Sequence, residues 1–317
     1  MAKSGGLGQS LFVSGYDLSG DTQSWQANGG PNLGDFTGIN KSAMERLGLL
    51  FSGGMNISTF FNDATAQAHP VYRALPTADV ILSLLFGDTL GNYAICLNCK
   101  QVGYDGSRAQ DGMFTLSVPA QSNAKRMHIC ESALAGDVTH ASATNGTGID
   151  GGTQGAQLTV AGGSAANPTV VTITAHGLVT GDSIVIAGTD KAALNTNHTV
   201  TVTGANTFTV PVDLSGGAAS AGTAYKTSTN FGLSAYLHVM SIASGTNVVK
   251  YQDSADNSTF ADITGGTFTG ATGRTSEMIE TTNTRIVRRY VRAISSDTFT
   301  NCLFWTGFIR HLALSID

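Results

Sequence analysis

The residues best suited to chemistry in this chain are two cysteine-containing pairs. Cys96 and Cys99 form a C-x2-C pair, and His128 and Cys130 form an H-x-C pair. Four such side chains match the ligand set of a structural zinc site. However, residues three apart on a strand point to opposite faces, and YAICLNCK lacks a glycine for a knuckle turn. The zinc interpretation stays open, but we favour buried thiols and expect no metal, cofactor or catalytic residue.

The other polar residues considered as catalytic or metal-binding sites are interpreted as residues that stabilise turns. His176 precedes a turn in AHGL and is expected to hydrogen-bond it, and His69 is expected to have a local structural role. Asp253, Asp256 and Asn257 lie in QDSADNSTF, which has too few acidic oxygens for a calcium loop and is typical of a hairpin tip. The other histidines have no local Ser or Asp partner. A spatial triad is recognised only by geometry, and we do not predict an enzyme.

Composition favours a β-protein that assembles. Of 317 residues, 12% are charged and 41% hydrophobic, with 39 glycines. Threonine, serine and glycine suit short strands and turns, and so little charge suggests that partners cover much of the surface. The net charge of −5 argues against a dedicated nucleic-acid binder. The densest basic cluster lies in a strand-like run and is expected to split between two faces: Arg285, Arg288, Arg289 and Arg292.

Three zones position these residues. The first contains strand-like runs and a short helix over 63–74, with Asp63 as N-cap or Pro70 at its first position. The runs cover 9–16, 54–61, 79–86, 92–100 and 113–118. We see no signal peptide and no apolar run long enough to span a membrane, so we expect no membrane insertion.

The second zone has the character of an inserted small β-domain. It covers 158–226 and contains the short runs PTVVTITA, DSIVIAG, HTVTVTG and NTFTVPV, with flexible linkers at both ends. The third zone returns to longer strands, ending in FTNCLFWTGFIRHL. There Phe304 and Phe308 face one way and Trp305 the other, which predicts burial on both sides, by the core and by a partner. Strand–turn spacing predicts a sandwich or barrel.

Several segments resemble one family when read in order. GINKSAMERLGLLFSGGMNISTFFN, AHPVYRALPTADVILSLLFG and DGMFTLSVPAQSN look like the major tail tube protein of long-tailed, siphovirus-like bacteriophages. AYLHVMSIASGTNVVKYQDSADNSTFADI and RRYVRAISSDTFTNCLFWTGFIR are similar to the C-terminal part of the same proteins. The middle zone departs from them and resembles a β module of assorted phage structural proteins.

The resemblance implies a β-sandwich or barrel with one flanking helix, formed by 1–157 and 227–317, with 158–226 on the tube exterior. It further implies stacked homohexameric rings, whose strands line a lumen that conducts DNA and encloses the tape-measure protein. Other implied partners are the tail terminator and tail-tip proteins, with transient, non-specific passage of DNA. The location would be the virion tail, after assembly in the host cytoplasm. Because phosphate affinity rises with each Lys or Arg contact, we expect acidic or uncharged side chains in the lumen.

The charged stretch before Gly53 raises the question of an interface. Ser42 and Glu45 match a capping box, but we interpret the segment as an extended arm that reaches a neighbouring subunit, with Gly53 and Gly54 allowing a change of direction. The interface candidates are Lys41, Met44, Glu45, Arg46, Leu47, Met55, Ile57, Phe304, Trp305 and Phe308.

Two alternative functions remain: an adhesin or capsid decoration protein that binds host carbohydrate, and a glycan-cleaving tail enzyme, for which no carboxylate pair stands out.

Overall fold

The chain folds almost entirely as antiparallel β-structure. A computed structural model describes residues 8–74, 76–87, 89–134 and 138–313. The strands of the first part are β1 (Ser10–Val13), β2 (Tyr16–Asp17), β3 (Thr22–Asp35), β4 (Arg46–Phe60), β5 (Val80–Leu85), β6 (Tyr93–Gln101), β7 (Asp105–Arg108), β8 (Phe114–Ser122), β9 (His128–Ser132), β10 (Thr139–His140) and β11 (Ile149–Asp150). Those of the middle part are β12 (Gln154–Val160), β13 (Gly162–Gly163), β14 (Thr169–Thr172), β15 (Ser183–Ala187), β16 (Asn197–Thr199), β17 (Thr201–Gly204), β18 (Thr207–Val210) and β19 (Gly222–Lys226).

The last part contains β20 (Leu233–Gly245), β21 (Val248–Ser254), β22 (Ala261–Thr267), β23 (Thr275–Glu280), β24 (Tyr290–Ser296) and β25 (Phe299–Arg310). Within the described residues there is one α-helix, α1 (Ala68–Tyr72), and there are two short 3-10 helices, Ser19–Asp21 and Ala192–Leu194. The predicted mainly β fold class with one short helix is confirmed. No helix in this part of the chain is long and apolar enough to cross a membrane.

A 13-stranded sheet forms the body of the molecule. Its main path runs β2-β1-β5-β6-β9-β25-β20-β23, and a branch from β6 runs through β8 and β4 to β3, which is the edge strand. The main path curls until its two ends approach each other. The N–H of Gly15, which follows β1, donates to His238 Nδ1 on β20 at 3.2 Å. Gly15 has φ +79°, and a Cβ there would lie 2.7 Å from the Thr275 carbonyl oxygen, so glycine fits this closure.

The inside of the curled sheet holds one buried cluster, which includes Phe12, Cys96, Tyr236 and Trp305. The Trp305 Nε1–H donates to Ser132 Oγ at 3.1 Å, so its polar atom is satisfied without water. A second cluster fills the space between the outer face of β20 and β25 and the four-stranded sheet β11-β24-β21-β22. The body is thus a curled sheet with a second sheet packed on it.

Helix α1 and the β4–β8 branch enclose a third cluster, which includes Met55, Ile57 and Tyr72. The helix is shorter than the predicted 63–74, and Asp63 does not cap it. The Asp21 carboxylate does: it accepts the Ala68 N–H at 2.9 Å and the Asn62 amide at 2.8 Å. A cap 47 residues away in sequence replaces the local one, so local sequence rules misplaced the helix start.

Residues 154–226 build two small sheets, β12-β19-β15-β16 and β13-β14-β18-β17. The buried cluster between them draws all its members from 158–224, including Ile184 and Phe208. The entering and leaving strands lie side by side, with Gln154 paired to Lys226. Asp182 is fully buried and forms an ion pair with Lys226 at 2.9 Å, which ties the departing strand to this unit.

Candidate assembly surface

The most unusual surface of the molecule is the outer half of the hairpin formed by β3 and β4. From Gly54 to Thr59, β4 pairs with β8 on one edge and with β3 on the other. From Arg46 to Ser52 it pairs with β3 alone, through Gly30↔Ser52 to Asp35↔Arg46. We call residues 30–52 the arm. At about 3.3 Å per residue, this two-stranded ribbon extends roughly 25 Å beyond the sheet.

The arm is rich in exposed large apolar side chains. Leu50 is 83% exposed and Phe36 61%. The set comprises Leu33, Phe36, Ile39, Met44, Leu47, Leu49, Leu50 and Phe51. A two-stranded hairpin is marginally stable alone in water, and exposed apolar side chains in this number make the arm a candidate interaction surface.

Both faces of the arm carry apolar groups. On the face that continues the core side of β4, Phe51 pairs with Pro31, and Leu33 pairs with Gly48. On the opposite face, a Cβ at Gly34 would lie 2.6 Å from the Phe36 ring and 3.3 Å from Leu49, which places these two side chains together. The register shifts between Pro31 and Leu33. Such a bulge increases the local twist of the ribbon.

The tip of the arm is closed by its own hydrogen bonds. Asp35 accepts the Thr37 N–H at 3.0 Å and the Thr37 hydroxyl, and these bonds lower the pKa of its carboxyl. The Lys41 ammonium and the Glu45 carboxylate form an ion pair at 2.8 Å. Both side chains stay about half exposed, so their contact with a neighbouring subunit stays a prediction. No capping-box helix forms around Ser42, because this segment is a turn between two strands.

The root of the arm packs around Met127. A Cβ at Gly29 would lie 2.7 Å from Met127 Cε, and one at Gly53 would lie 3.0 Å from Met127 Cβ. The Gly53 N–H donates to Ser122 Oγ at 3.0 Å. The predicted change of direction at Gly53 and Gly54 is wrong, since β4 continues through both. These glycines make space for neighbours instead.

Five of the ten interface candidates are buried inside the chain. Met55 and Ile57 lie in the cluster under α1, and Phe304, Trp305 and Phe308 in the clusters on the two faces of β25. Their alternation is as predicted, but the chain itself covers both faces, so the expected partner on one face is wrong for these residues. The other five lie at the exposed tip: Lys41, Met44, Glu45, Arg46 and Leu47.

The cysteines are placed as buried thiols. Cys96 and Cys99 belong to different buried clusters on opposite faces of β6, as predicted. Burial raises the pKa of Cys99 to about 12 and also raises that of Cys130, which disfavours the thiolate that zinc requires. Within 8–74, 76–87, 89–134 and 138–313, no three His, Cys, Asp or Glu side chains are grouped as metal ligands.

The remaining polar candidates have structural contacts. His176 accepts the Leu178 N–H at 3.0 Å and contacts the Gly204 carbonyl, which confirms its role in the turn. Asp256 lies at a hairpin tip. Burial raises the pKa of its carboxyl, but the Thr259, Ser254 and Ser258 hydrogen bonds outweigh burial and lower the pKa to about 2.

The basic cluster is partly neutralised within the chain. Arg288 forms an ion pair with Asp253, and Arg289 with Asp150 at 2.7 Å. Arg292 donates to Gln252. Strand β24 begins only at Tyr290, so the prediction that all four arginines lie on one strand is wrong.

Comparisons with known proteins establish no family. No protein-family model matches the chain, and no curated protein matches its sequence. One similar solved structure belongs to the virion of a native gene transfer agent particle: identity is 13%, TM-score 0.32, and the match covers 40% of this chain and 98% of the other. A second comes from the tail of an empty particle of that kind, refined with C6 symmetry: identity is 15%, TM-score 0.32, and coverage again 40% and 98%.

A third similar structure is the Dit protein of phage SPP1, described as a hub of the adsorption apparatus. Identity is 7% and TM-score 0.30, with 95% of this chain and 99% of that chain covered. TM-scores this low do not establish a shared fold, so functional conclusions rest on the chain's own residues and geometry.

Proposed function

We propose that this protein is a structural subunit of a bacteriophage tail tube, which assembles into stacked hexameric rings. The lumen would conduct DNA and enclose the tape-measure protein, and the subunit would perform no chemistry. The observation that carries the proposal is the arm, a ribbon with apolar side chains on both faces and no third strand among the described residues. The sequence resemblance to tail tube proteins adds support.

The size of the arm's apolar surface favours a stable protein interface. Eight large apolar side chains, each about half exposed or more, present an area on the order of 1,000 Å². The largest apolar patch on a typical monomer is about 300–600 Å², and a standard interface covers about 800 Å² per partner. A contact of this size fits repeated association between copies of one chain.

The sheet edges also favour lateral association. Strand β3 is the edge of the branch. Unpaired edges of this length are sites for pairing with another chain. We propose that edge pairing closes the ring and lines the lumen with acidic or uncharged side chains. The net charge of −5 supports a lumen that does not retain DNA.

Residues 158–226 are proposed to be an inserted domain on the outside of the tube. Their separate buried cluster and the pairing of Gln154 with Lys226 support this assignment. The carbohydrate-binding alternative loses support from the same unit. Its aromatic residues are Phe208, which is fully buried, and Tyr225, which is partly exposed, so one tyrosine alone does not form an aromatic platform.

Electron microscopy of the purified protein tests the proposal. Negative staining is expected to show rings or tubes of uniform width, and uniformly dispersed monomers or trimers would contradict it. A Leu50→Asp variant is expected to lose the assemblies while its secondary structure is unchanged, because this side chain is exposed on the arm. Val179→Asp is the matched control, since this valine is 45% exposed on residues 158–226. If the unmodified chain, Leu50→Asp and Val179→Asp all assemble equally well, the arm does not form the assembly interface.

A further inference from the structure

A cleft lies between residues 158–226 and the four-stranded sheet β11-β24-β21-β22. Its volume is about 330 Å³, at the small end of the range of about 300–1,000 Å³ for ligand pockets. One wall consists of Thr180, Gly181 and Thr199, and the other of residues from β21, β22 and the segment 285–288. We call this cavity the junction cleft. Its size suits a small ligand.

Two contacts hold the walls of the junction cleft together. A Cβ at Gly181 would lie 3.3 Å from Ile286 Cδ1, so the two walls touch at this point. The Arg289 Nη1–H donates to Asn197 Oδ1 at 3.0 Å, while the rest of the same guanidinium binds Asp150. The cleft is therefore formed before any ligand enters, which lowers the entropy cost of binding.

Both carboxylates that line the junction cleft are paired within the chain. Asp253 Oδ1 accepts the Arg288 Nε–H at 2.9 Å, and its Oδ2 accepts the Arg288 backbone N–H at 2.9 Å. Asp262 accepts hydrogen bonds from Lys250 and Gln252, at 2.6 Å each. The negative charge on this surface is therefore already offset by groups of the chain itself.

The Arg285 side chain lines the same cleft and is not offset. It is partly buried, and among the described residues its guanidinium has no hydrogen-bond or ion-pair partner. Its backbone is fixed, because its N–H donates to the Thr282 carbonyl and its carbonyl accepts the Gly232 N–H, each at 2.9 Å. On the other wall, Thr180 Oγ1 accepts the Val202 N–H at 3.0 Å, which leaves the hydroxyl proton to donate. The cleft thus presents a positive charge and hydrogen-bond donors.

We propose that the junction cleft binds an oxyanion, a phosphate or carboxylate group of a small ligand, and that Arg285 is the residue that binds it. Guanidinium donors match the oxygens of phosphate and carboxylate in pairs, and such charge-assisted hydrogen bonds are strong. Because this site recognises charge, it needs no aromatic platform. Binding here needs no contact between copies of the chain, so it is independent of the proposed tube function.

Equilibrium dialysis of the full chain tests this site. The radiolabelled probes are inorganic phosphate, glucuronate as a carboxylated sugar, and glucose as a sugar without charge. We expect saturable binding of phosphate or glucuronate and none of glucose. Arg285→Gln is expected to weaken that binding by about tenfold or more, because it removes a charged hydrogen-bond donor. Arg108→Gln is the matched control, since it removes an exposed arginine on β7, and is expected to bind as the unmodified chain does.

The two anions distinguish the sources of the oxyanion. Tighter binding of phosphate indicates a phosphorylated ligand, and tighter binding of glucuronate indicates a carboxylated sugar. Arg285→Lys keeps the charge but loses the paired donors, so it is expected to bind more weakly than the unmodified chain, and it replaces Arg285→Gln if that variant fails to fold.

Two results would overturn the site. One is the absence of saturable anion binding, or binding by Arg285→Gln that equals that of the unmodified chain. The other is an equal loss of binding in Arg108→Gln, which would show a general effect of charge. Either result leaves the tube function standing. Anion binding by a chain that forms no rings or tubes would support the site and contradict the tube function alone.

Discussion

The buried imidazole of His238 predicts that the subunit loses stability in mild acid. His238 is fully buried between the rings of Phe12 and Trp305. Its Nδ1 accepts the Gly15 N–H at 3.2 Å, so Nε2 carries the proton and faces Ser83 Oγ at 3.0 Å. A second proton on Nδ1 would point at another donor. Burial lowers the pKa of His238 from 6.5 to about 3.

The direction of the pH effect follows from this lowered pKa. Below pH 6.5 the unfolded chain binds a proton at this histidine, and the folded chain does not until about pH 3. The free energy of unfolding therefore falls as pH decreases through this window and is fully recovered above it. Between pH 7 and pH 5 the loss from this one group is about 2 kcal/mol, because one pKa unit corresponds to about 1.36 kcal/mol.

Urea unfolding at pH 7 and pH 5 measures this loss. The protein is kept at a concentration where sedimentation shows unassembled subunits, so that assembly does not contribute. His238→Gln is expected to reduce the pH-dependent loss by about 2 kcal/mol, whatever its stability at pH 7. Ser83→Ala is the control, because it disturbs the same site but keeps the imidazole. An unchanged pH dependence in His238→Gln would refute the assignment of the effect to this side chain.

Three further predictions follow from the packing and the surface. Trp305→Ala is expected to lower the free energy of unfolding by about 3–5 kcal/mol, measured in urea, because it leaves a cavity and deprives Ser132 of its donor. Replacing residues 158–226 with a short Gly-Ser linker is expected to preserve the circular dichroism of the body and the formation of tubes, and an unfolded product would show that this unit is integral. Glu45→Ala and Arg46→Ala are expected to change the free energy of unfolding by less than about 1 kcal/mol. Both should weaken tube assembly in sedimentation, and unchanged assembly would exclude these charges from the interface.

Strand patterns in the sequence predicted much of the body. The apolar run VILSLLF becomes β5, whose six residues are all buried, and the alternation in β25 gives two buried faces. These strands could be predicted because local alternation alone decides to which face of a strand each side chain points. The separate character of 158–226 was also visible, because its runs are shorter and bounded by turn residues.

Structural features that depend on residues distant in sequence could not be predicted from the sequence. Strand β3 contains TQSWQANGGPNLGD, which has no apolar alternation, and it is a strand because β4 supplies its hydrogen bonds. The true start of α1 depends on Asp21, which belongs to another element. For the candidate surface, the charged residues before Gly53 led to the prediction of an extended arm. The prediction that Phe304, Trp305 and Phe308 contact a partner was wrong, because sequence alternation cannot distinguish a face covered by the same chain from one covered by another chain.

The pairing of Gln154 with Lys226 has a consequence for the evolution of this chain. The polypeptide leaves the body and returns to it at neighbouring positions, so the body does not constrain how long the intervening segment is. The entropy cost of a longer loop rises by only about 0.6 kcal/mol for each doubling of its length. If residues 158–226 are an inserted domain, as proposed above, a gene encoding such a chain could lose, gain or exchange whole segments at this point while the surrounding strands keep their register.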